Sequence, residues 1–218
     1  MSNFKDSELA LAGFLLQIKA IKINVVHPFT WASGLKSPIY CDNRVTLSHP
    51  MIRTFIRQEF VNSILEKFEK PEIIVGVATG GIAQGALVAE ALGLPFAYVR
   101  PEAKTHGLGN KIEGIVEDGQ SAIVIEDLIS TGGSSLKAVE ALREKGVIVK
   151  GLTAIFTYGL PIADEKFKKA NCHLQTLTNF DALLFKASEA NYIAKSDMES
   201  LMRWQMDPQA WGAKRENF

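Results

Sequence analysis

Two acidic residues, Glu126 and Asp127, end an apolar run that begins at Ala122. Only two residues separate this acid pair from six consecutive small residues, Ser130, Thr131, Gly132, Gly133, Ser134 and Ser135. Two carboxylates at the edge of a core cost free energy unless a ligand or a cation compensates for their burial. Carboxylate oxygens accept hydrogen bonds from sugar hydroxyl groups and bind divalent cations, so the acid pair predicts one of these partners.

The small-residue turn, residues 130–135, has the composition of a phosphate site. A glycine-containing turn that leads into a helix directs backbone N–H groups and the positive end of the helix dipole to one point. The pattern is neither a GxGxxG motif nor a Gly-Lys-Ser/Thr loop. Turn and acid pair together predict a site for a sugar phosphate. The alternative is an ordinary strand–turn–helix junction with a capping serine.

A second candidate anion site lies in residues 98–114, YVRPEAKTHGLGNKIEG. Arg100 follows a predicted strand, and Lys104 and His106 are two residues apart, so both would face the same way in an extended chain. Glycines follow them, as in a loop that closes over a charged ligand. Cations in such a loop stabilise negative charge that develops on a leaving group. The alternative is a solvated hairpin with incidental charges.

The third candidate segment, residues 29–44, is FTWASGLKSPIYCDNR. It combines a Ser-Gly turn with Pro38, the aromatic rings of Phe29 and Tyr40, and the cations Lys36 and Arg44. A planar acidic base needs an apolar slot for its ring and donors for its carboxylate, which these residue types supply. The alternative is a structural loop between two helices.

The order of predicted elements explains how these segments could meet. The pattern predicts helices at residues 5–22 and 48–70, and then strands at 72–78, 95–100, 121–127 and 147–158, with helices at 80–93 and 134–146 between them. Strands that are apolar throughout and alternate with helices favour an α/β fold with a parallel sheet covered on both faces. Such sheets bind ligands at the carboxyl ends of their strands. The tail, residues 160–218, is predicted to be less regular and to form a cap with the first helix.

Composition excludes several classes of protein. Lysine and arginine together number 24, as do aspartate and glutamate, so the chain has no basic field for nucleic acid. No apolar run is long enough to span a membrane, and the N-terminal segment does not resemble a secretory signal. Cys41 and Cys172 are too few and too far apart for a disulfide framework. We therefore expect free thiols and a cytoplasmic location.

The twelve residues VIEDLISTGGSS resemble the signature of the type I phosphoribosyltransferases, which bind 5-phosphoribosyl 1-pyrophosphate (PRPP). The resemblance implies one phosphoribosyltransferase domain over residues 1–218, with a PRPP-binding core at about 46–158 and a hood formed by 1–45 and about 160–218. It implies Mg²⁺ as cofactor, held through PRPP, with Glu126 and Asp127 as candidate protein ligands. It also implies that the acid pair binds the ribose hydroxyls and that five residues bind the 5-phosphate: Ser130, Thr131, Gly132, Gly133 and Ser134. Leu128 and Ile129 are implied as further PRPP contacts.

The Lys-x-His-Gly loop and the Ser-Gly-x-Lys-Ser-Pro-x-Tyr segment resemble the branch of this family that acts on orotate. The resemblance implies transfer of ribose 5-phosphate from PRPP to orotate in pyrimidine synthesis. It further implies a homodimer in which each loop reaches the neighbouring active site. The implied catalytic residues are Lys104, His106 and Asp127, with Arg100 as a further PRPP contact. Arg100, Lys104 and His106 are implied to contact the pyrophosphate from the partner subunit. The implied orotate contacts are Ser130, Tyr40, Cys41 and Lys36.

Three positions depart from the family pattern. Many members carry a lysine where this chain has Ala32, Gly80 and Pro101, so those contacts to PRPP are not transferred. An arginine that contacts orotate in some relatives also lacks a clear equivalent. Two alternatives stay open at this point: a transferase that uses a purine base, and a non-catalytic regulator that senses PRPP with the same fold.

Overall fold

The computed structural model describes residues 4–31, 34–101 and 111–213. Their strands are β1 (Ile21–Ile23), β2 (Phe29–Thr30), β3 (Lys36–Ser37), β4 (Ile39–Cys41), β5 (Ile73–Val77), β6 (Phe96–Val99), β7 (Ile112–Glu113), β8 (Ser121–Ile129), β9 (Ile148–Thr157) and β10 (Leu174–Asn179). Their helices are α1 (Asp6–Gln17), α2 (Pro50–Lys67), α3 (Gly80–Leu92), α4 (Gly133–Arg143), α5 (Pro161–Lys169), α6 (Phe180–Glu189), α7 (Lys195–Met206) and α8 (Pro208–Ala213). A 3₁₀ helix, Asn43–Ser48, precedes α2.

The central sheet has the order β10-β9-β8-β5-β6-β7. All neighbouring strands are parallel except β7, which runs antiparallel to β6. All five residues of β5 and the first six of β8 are buried, because helices cover both faces of the sheet. The predicted α/β fold with a mainly parallel sheet flanked by helices is confirmed.

Local sequence signals set the helix boundaries. Pro50 occupies the first turn of α2, where its missing N–H costs no hydrogen bond. Gly93 ends α3 in the left-handed conformation, at φ +65°. Gly132 precedes α4 with φ +73°, and a Cβ at this position would lie 2.8 Å from the ring of Phe167. A residue with a side chain would therefore be strained at Gly132 by both its backbone angle and its neighbour.

Several predicted boundaries were wrong. Helices α2 and α4 end at Lys67 and Arg143, three residues before their predicted ends. The first helix ends at Gln17 rather than near residue 22, because the chain continues into β1, which pairs antiparallel with β4. The acid-pair strand extends to Ile129 rather than ending at residue 127, because Leu128 and Ile129 pair with β9. Pairing with a strand that is distant in sequence set both of these boundaries, and the helix or strand propensity of the local residues did not.

The predicted irregular tail was also wrong. Residues beyond 160 form four helices and β10, and β10 is a parallel neighbour of β9. Its burial pattern is intermediate at five of six positions, so β10 lacks the apolar run that identified the other strands. The sheet therefore continues past residue 158, where the sequence placed the end of the core. The division into core and hood stays a prediction.

Aromatic side chains join the N-terminal and C-terminal segments to the sheet. The ring of Trp31 lies 5.0 Å from that of Tyr158 and 5.8 Å from that of Trp204, measured between centroids. Trp204 in α7 is fully buried and also packs against Phe180 at the start of α6. These contacts cover the carboxyl end of β9 with the segment before β3 and with α7. None of the described helices is long and apolar enough to cross a membrane.

Candidate active site

The acid pair lies where β8 loses one of its neighbours. Pairing between β5 and β8 ends at Gly76 and Ile125, and β5 itself ends at Val77. Past Ile125, strand β8 pairs only with β9. The side toward β5 therefore has no strand neighbour at the carboxyl edge of the sheet, which is where parallel sheets bind ligands. The start of α3 lies beside it, and a Cβ added at Gly81 would come 2.3 Å from the Ile125 carbonyl oxygen.

The two acids have different surroundings. Glu126 is buried, and its two carboxyl oxygens accept hydrogen bonds from the Asp127 N–H at 3.0 Å and the Ser135 hydroxyl at 2.9 Å. Burial, followed by the charge of Asp127, raises the pKa of Glu126 well above its ordinary value. Both acids were predicted to bind the ribose hydroxyls, but the Glu126 carboxyl is already hydrogen-bonded inside the junction between β8 and α4.

Asp127 is the more accessible member of the pair. Burial raises the pKa of its carboxyl, while the side-chain hydrogen bond with Glu126 and the positive charge of Arg44 oppose that rise. Asp127 is partly exposed at this edge, where its carboxyl oxygens can accept hydrogen bonds from a ligand.

Gly80, one of the three departures from the family pattern, lies under the Asp127 carboxylate. A Cβ added at Gly80 would come 2.2 Å from the Asp127 Cγ. A larger residue at this position would require Asp127 to move. The exchange of lysine for glycine therefore changes both the charge and the shape of this part of the site. Ala32 lies outside the described residues.

The turn after β8 presents a cradle of N–H groups. Ser134 is exposed, and Ser130, Thr131 and Gly133 are partly exposed. The first N–H groups of α4 have no acceptor within the helix, so they are available to an anion. Ser135, in contrast, is 1% exposed and donates its hydroxyl to Glu126. The turn thus offers an anion site on its outer side and supports the acid pair on its inner side.

Leu128 and Ile129 belong to the strand rather than to this cradle. The Ile129 side chain is fully buried and its carbonyl accepts the Tyr158 N–H at 3.2 Å, while Leu128 packs against the hydrophobic core. The buried Ile129 side chain leaves only the backbone of that residue for its predicted PRPP contact, and Leu128 is partly exposed. Both contacts stay predictions.

Arg100 lies at the end of β6, near the N-terminus of α4. Its guanidinium is 3.4 Å from the Glu113 carboxylate, and its backbone N–H donates to the Lys111 carbonyl. A cavity of about 370 Å³ is lined by Arg100 and Pro101 together with Ser134 and Lys137. The structure therefore brings Arg100 next to the end of the turn. Lys104 and His106 lie outside the described residues.

Residues 29–44, predicted to bind the planar base and called the base segment below, approach the acid pair at the end of β4. Tyr40 is 40% exposed, and its ring lies 5.7 Å from that of Phe29. The Cys41 thiol is buried and donates to the Asn43 Oδ1 at 3.3 Å, and burial raises its pKa well above the ordinary value. A hydrogen bond from the Cys41 backbone partly offsets the rise that burial causes in the pKa of Tyr158. Cys41 is thus engaged on both its side chain and its backbone.

Lys36 is not brought to the acid pair. Its Nζ donates to the Thr30 hydroxyl at 2.9 Å, and its Cβ lies next to Gly212 in α8. It lines a separate cavity of about 1270 Å³ between the segment before β3 and helices α7 and α8. No hydrogen bond or ion pair joins it to Glu126 or Asp127 in the described part of the chain. The predicted orotate contact of Lys36 has no support in this geometry.

Two residues near the acid pair were not among the predicted site residues. Arg44 binds Asp42 through two hydrogen bonds, of 2.7 and 2.9 Å, and its charge acts on Asp127. Asn43 donates its side-chain amide to the Asp127 carbonyl at 2.5 Å. The cation Arg44 was visible in the base segment, but nothing local in the sequence indicated which of its two cations would face the site. No local signal marked Asn43.

Comparison with known proteins places the fold and the site in a family. A model of the phosphoribosyl transferase domain matches residues 48–175. The orotate phosphoribosyltransferase of Phocaeicola vulgatus is 56% identical over 209 residues, which are 96% of this chain and 99% of that protein. That of Bacteroides thetaiotaomicron is 54% identical over the same shares. The crystal structure of orotate phosphoribosyltransferase from Aeropyrum pernix matches with a TM-score of 0.73 at 27% identity, over 84% of this chain and 99% of that one. With its signature at the open edge of the sheet and full-length relatives above half identity, the chain belongs to the phosphoribosyltransferase family and, within it, to the orotate phosphoribosyltransferases.

Proposed function

We propose that the protein transfers ribose 5-phosphate from PRPP to orotate, which yields orotidine 5′-phosphate and pyrophosphate for pyrimidine synthesis. The observation that carries this proposal is the junction at the end of β8. There, a half-buried carboxylate, Asp127, adjoins a turn of unpaired N–H groups at the start of α4. A ribosyl phosphate presents the matching groups, two hydroxyl donors next to one phosphate acceptor.

In this proposal Asp127 accepts hydrogen bonds from the ribose hydroxyls, and Ser130, Thr131, Gly132, Gly133 and Ser134 bind the 5-phosphate. Glu126 holds the Asp127 N–H and the Ser135 hydroxyl, and so it fixes the carboxylate against the turn. The ligand therefore meets a preorganised site, which lowers the cost of ordering side chains on binding.

Transfer breaks the bond between ribose C1 and a pyrophosphate oxygen, and it forms a bond between C1 and a ring nitrogen of orotate, which loses its proton to solvent. The electrons of the broken C1–O bond leave with pyrophosphate, so negative charge grows there while C1 becomes cationic. Arg100, Lys104 and His106 are proposed to stabilise the leaving group where this charge develops. The proposed source of Lys104 and His106 is the second subunit of a homodimer.

Mg²⁺ is the proposed cofactor. This cation keeps several waters and is bound by one or two carboxylates together with substrate phosphates. No cluster of three or more His, Cys, Asp or Glu side chains that could hold a metal occurs among the described residues. The donor set fits a cation that arrives with PRPP, with Asp127 as its protein carboxylate. Such a cation neutralises pyrophosphate charge when bound.

Orotate is proposed to lie against Tyr40 and near Ser130, at the mouth between β4 and the turn. Tyr40 offers an exposed ring face, and Arg44 is the described cation whose charge acts at this edge. Cys41 takes part through its backbone, since its thiol is engaged with Asn43.

Cys41 and Cys172 are buried and form no disulfide bond, which supports the proposal that the enzyme works in the reducing cytoplasm.

The decisive experiment follows orotate absorbance after addition of PRPP and Mg²⁺. We expect consumption of orotate and release of one pyrophosphate per orotate. Adenine, hypoxanthine and uracil serve as alternative acceptors, and the Asp127→Asn variant serves as the matched control. Turnover of a purine in place of orotate would favour a purine transferase. Binding of PRPP with no turnover of any base would favour a regulator, and either outcome would refute the proposal.

A further inference from the structure

The Asp127 backbone lies past the end of β5 and has no strand partner on that side. Buried backbone N–H and C=O groups need partners, and here side chains supply both. The Glu126 carboxylate accepts the Asp127 N–H at 3.0 Å, and the Asn43 side-chain amide donates to the Asp127 carbonyl at 2.5 Å. The residue proposed to bind ribose is therefore held from two directions.

Asn43 reaches Asp127 from the base segment, 84 residues earlier in the chain. It is 1% exposed and begins the 3₁₀ helix, two residues after the end of β4. The buried Thr46 hydroxyl donates to the Asn43 carbonyl at 2.6 Å within the same turn, and this bond does not involve the Asn43 amide. The bond from the Asn43 amide to Asp127 thus connects two parts of the site that are distant in sequence.

The orientation of the Asn43 amide is also determined. The buried Cys41 thiol donates to the Asn43 Oδ1 at 3.3 Å, which leaves the Nδ2 facing the Asp127 carbonyl. The opposite orientation would place two acceptors, Oδ1 and the carbonyl oxygen, against each other. Burial raises the pKa of Cys41, so the thiol keeps the proton that it donates. Only one orientation of the amide satisfies all three groups.

We propose that Asn43 is a positioning residue that sets the distance between the base-binding strand β4 and the ribose-binding Asp127. It touches neither substrate and acts through the Asp127 backbone and the turn that follows Tyr40. This inference rests on the proposed transfer between ribose and orotate, since that reaction requires the base and C1 to meet at a defined distance. A misplacement of about 1 Å between reacting groups costs on the order of 10²-fold in rate.

Asn43→Ala should lower kcat about 10- to 100-fold. The dissociation constant of PRPP with Mg²⁺, measured by calorimetry, should change less than about threefold, because Glu126 still accepts the Asp127 N–H and the phosphate-binding turn is unchanged. Thr46→Val is the matched control, because it removes a buried hydrogen bond from the same turn and leaves the amide intact. We expect Thr46→Val to lower the melting temperature and to keep kcat within about twofold of the wild type.

Asn43→Asp separates positioning from packing. The new carboxyl has the same shape but cannot donate to the Asp127 carbonyl when ionised, whereas its protonated form has one O–H donor. The ratio of kcat for this variant to wild-type kcat should therefore rise as the pH falls, and the same ratio for Asn43→Ala should stay flat.

Three results would overturn the inference: wild-type kcat in Asn43→Ala, an equal loss of kcat in Thr46→Val, or an Asn43→Asp ratio that does not change with pH. If Asn43→Ala does not fold, the Asn43→Asp ratio decides. If neither variant unfolds cooperatively above the assay temperature, the role of Asn43 is structural and the inference is wrong. A wild-type enzyme that does not consume orotate would refute the proposed function, which these variants do not test.

Discussion

At the scale of single residues, the adjacent acids Glu126 and Asp127 differ in their surroundings and in their roles. Glu126 is 5% exposed and satisfied by the Asp127 N–H and the Ser135 hydroxyl, whereas Asp127 faces the open edge of the sheet. Ser135 of α4 donates to the Glu126 carboxyl, whereas Gly80 at the start of α3 lies against the Asp127 carboxyl. The two acids therefore differ in burial because different helices contact them.

The raised pKa of Glu126 predicts a specific dependence of stability on pH. An acid whose pKa is higher in the folded than in the unfolded state stabilises the fold below its ordinary pKa, near 4.5, and this contribution is lost as the pH rises toward the folded value. The unfolding free energy of the wild type minus that of Glu126→Gln should therefore fall as the pH rises above about 4.5. The maximum slope is about 1.4 kcal/mol per pH unit.

Urea unfolding at several pH values measures this difference. Glu126→Gln also loses one hydrogen-bond acceptor, which adds an offset that does not depend on pH, so the slope rather than the level is the test. Carboxyls whose pKa does not depend on Glu126, such as Asp42, titrate in both proteins and cancel in the difference. The pKa of Asp127 does depend on Glu126, so the slope reports on the two acids together. A difference that is flat or rises with pH would show that Glu126 is ionised in the folded protein.

At the scale of elements, the junction between β8 and α4 depends on the left-handed conformation of Gly132. This conformation lets the chain leave the strand and start α4 within four residues, which aims the first N–H groups of the helix at the turn. Phe167 of α5 packs against the position that a side chain would occupy. Three elements therefore set the shape of the proposed phosphate cradle.

Gly132→Ala should weaken binding of PRPP at least about tenfold, because the left-handed conformation costs about 1–2 kcal/mol for a residue with Cβ and the Phe167 ring lies in the way. Gly93→Ala is the control, since Gly93 also has a positive φ but has no atom within 4 Å of the added Cβ. It should lose stability to urea by a similar strain energy and keep its affinity for PRPP. Equal affinities in calorimetry would contradict the assignment of the phosphate to this turn.

At the scale of the whole molecule, the proposed site is divided between parts that are distant in sequence, and in the homodimer proposal between two chains. Asp127 would come from one subunit, and Lys104 from the loop of its partner. The described residues of one chain place Arg100 near the turn and Asn43 against Asp127, which defines the half of the site that belongs to that chain.

Hybrid dimers test this division. Lys104→Ala and Asp127→Asn should each be nearly inactive alone, because each lacks one half of every site. Mixing them with subunit exchange should restore one working site per hybrid dimer, so about a quarter of wild-type activity should appear in an equimolar random mixture. Activity in the orotate assay that stays at the level of the parent variants would mean that each subunit completes its own site, or that the chains do not associate.

The sequence by itself determined the features that lie within short stretches of chain. The apolar strand, the acid pair, the glycine-containing turn and the following helix are consecutive residues, so their order, and the alternation of neighbouring side chains, fixes their relation without further information. The parallel sheet followed in the same way from buried strands that alternate with helices.

Only the tertiary structure decided which distant residues meet at that junction. In the folded chain Lys36 lies next to α8, and the charge of Arg44 acts on Asp127. The Asn43 amide donates to the carbonyl of Asp127, 84 residues away. It also added β10 to the sheet from a tail without a strand-like apolar run. Local propensity carries no information about such contacts, because they depend on how separate elements pack and on which polar groups that packing leaves without a partner.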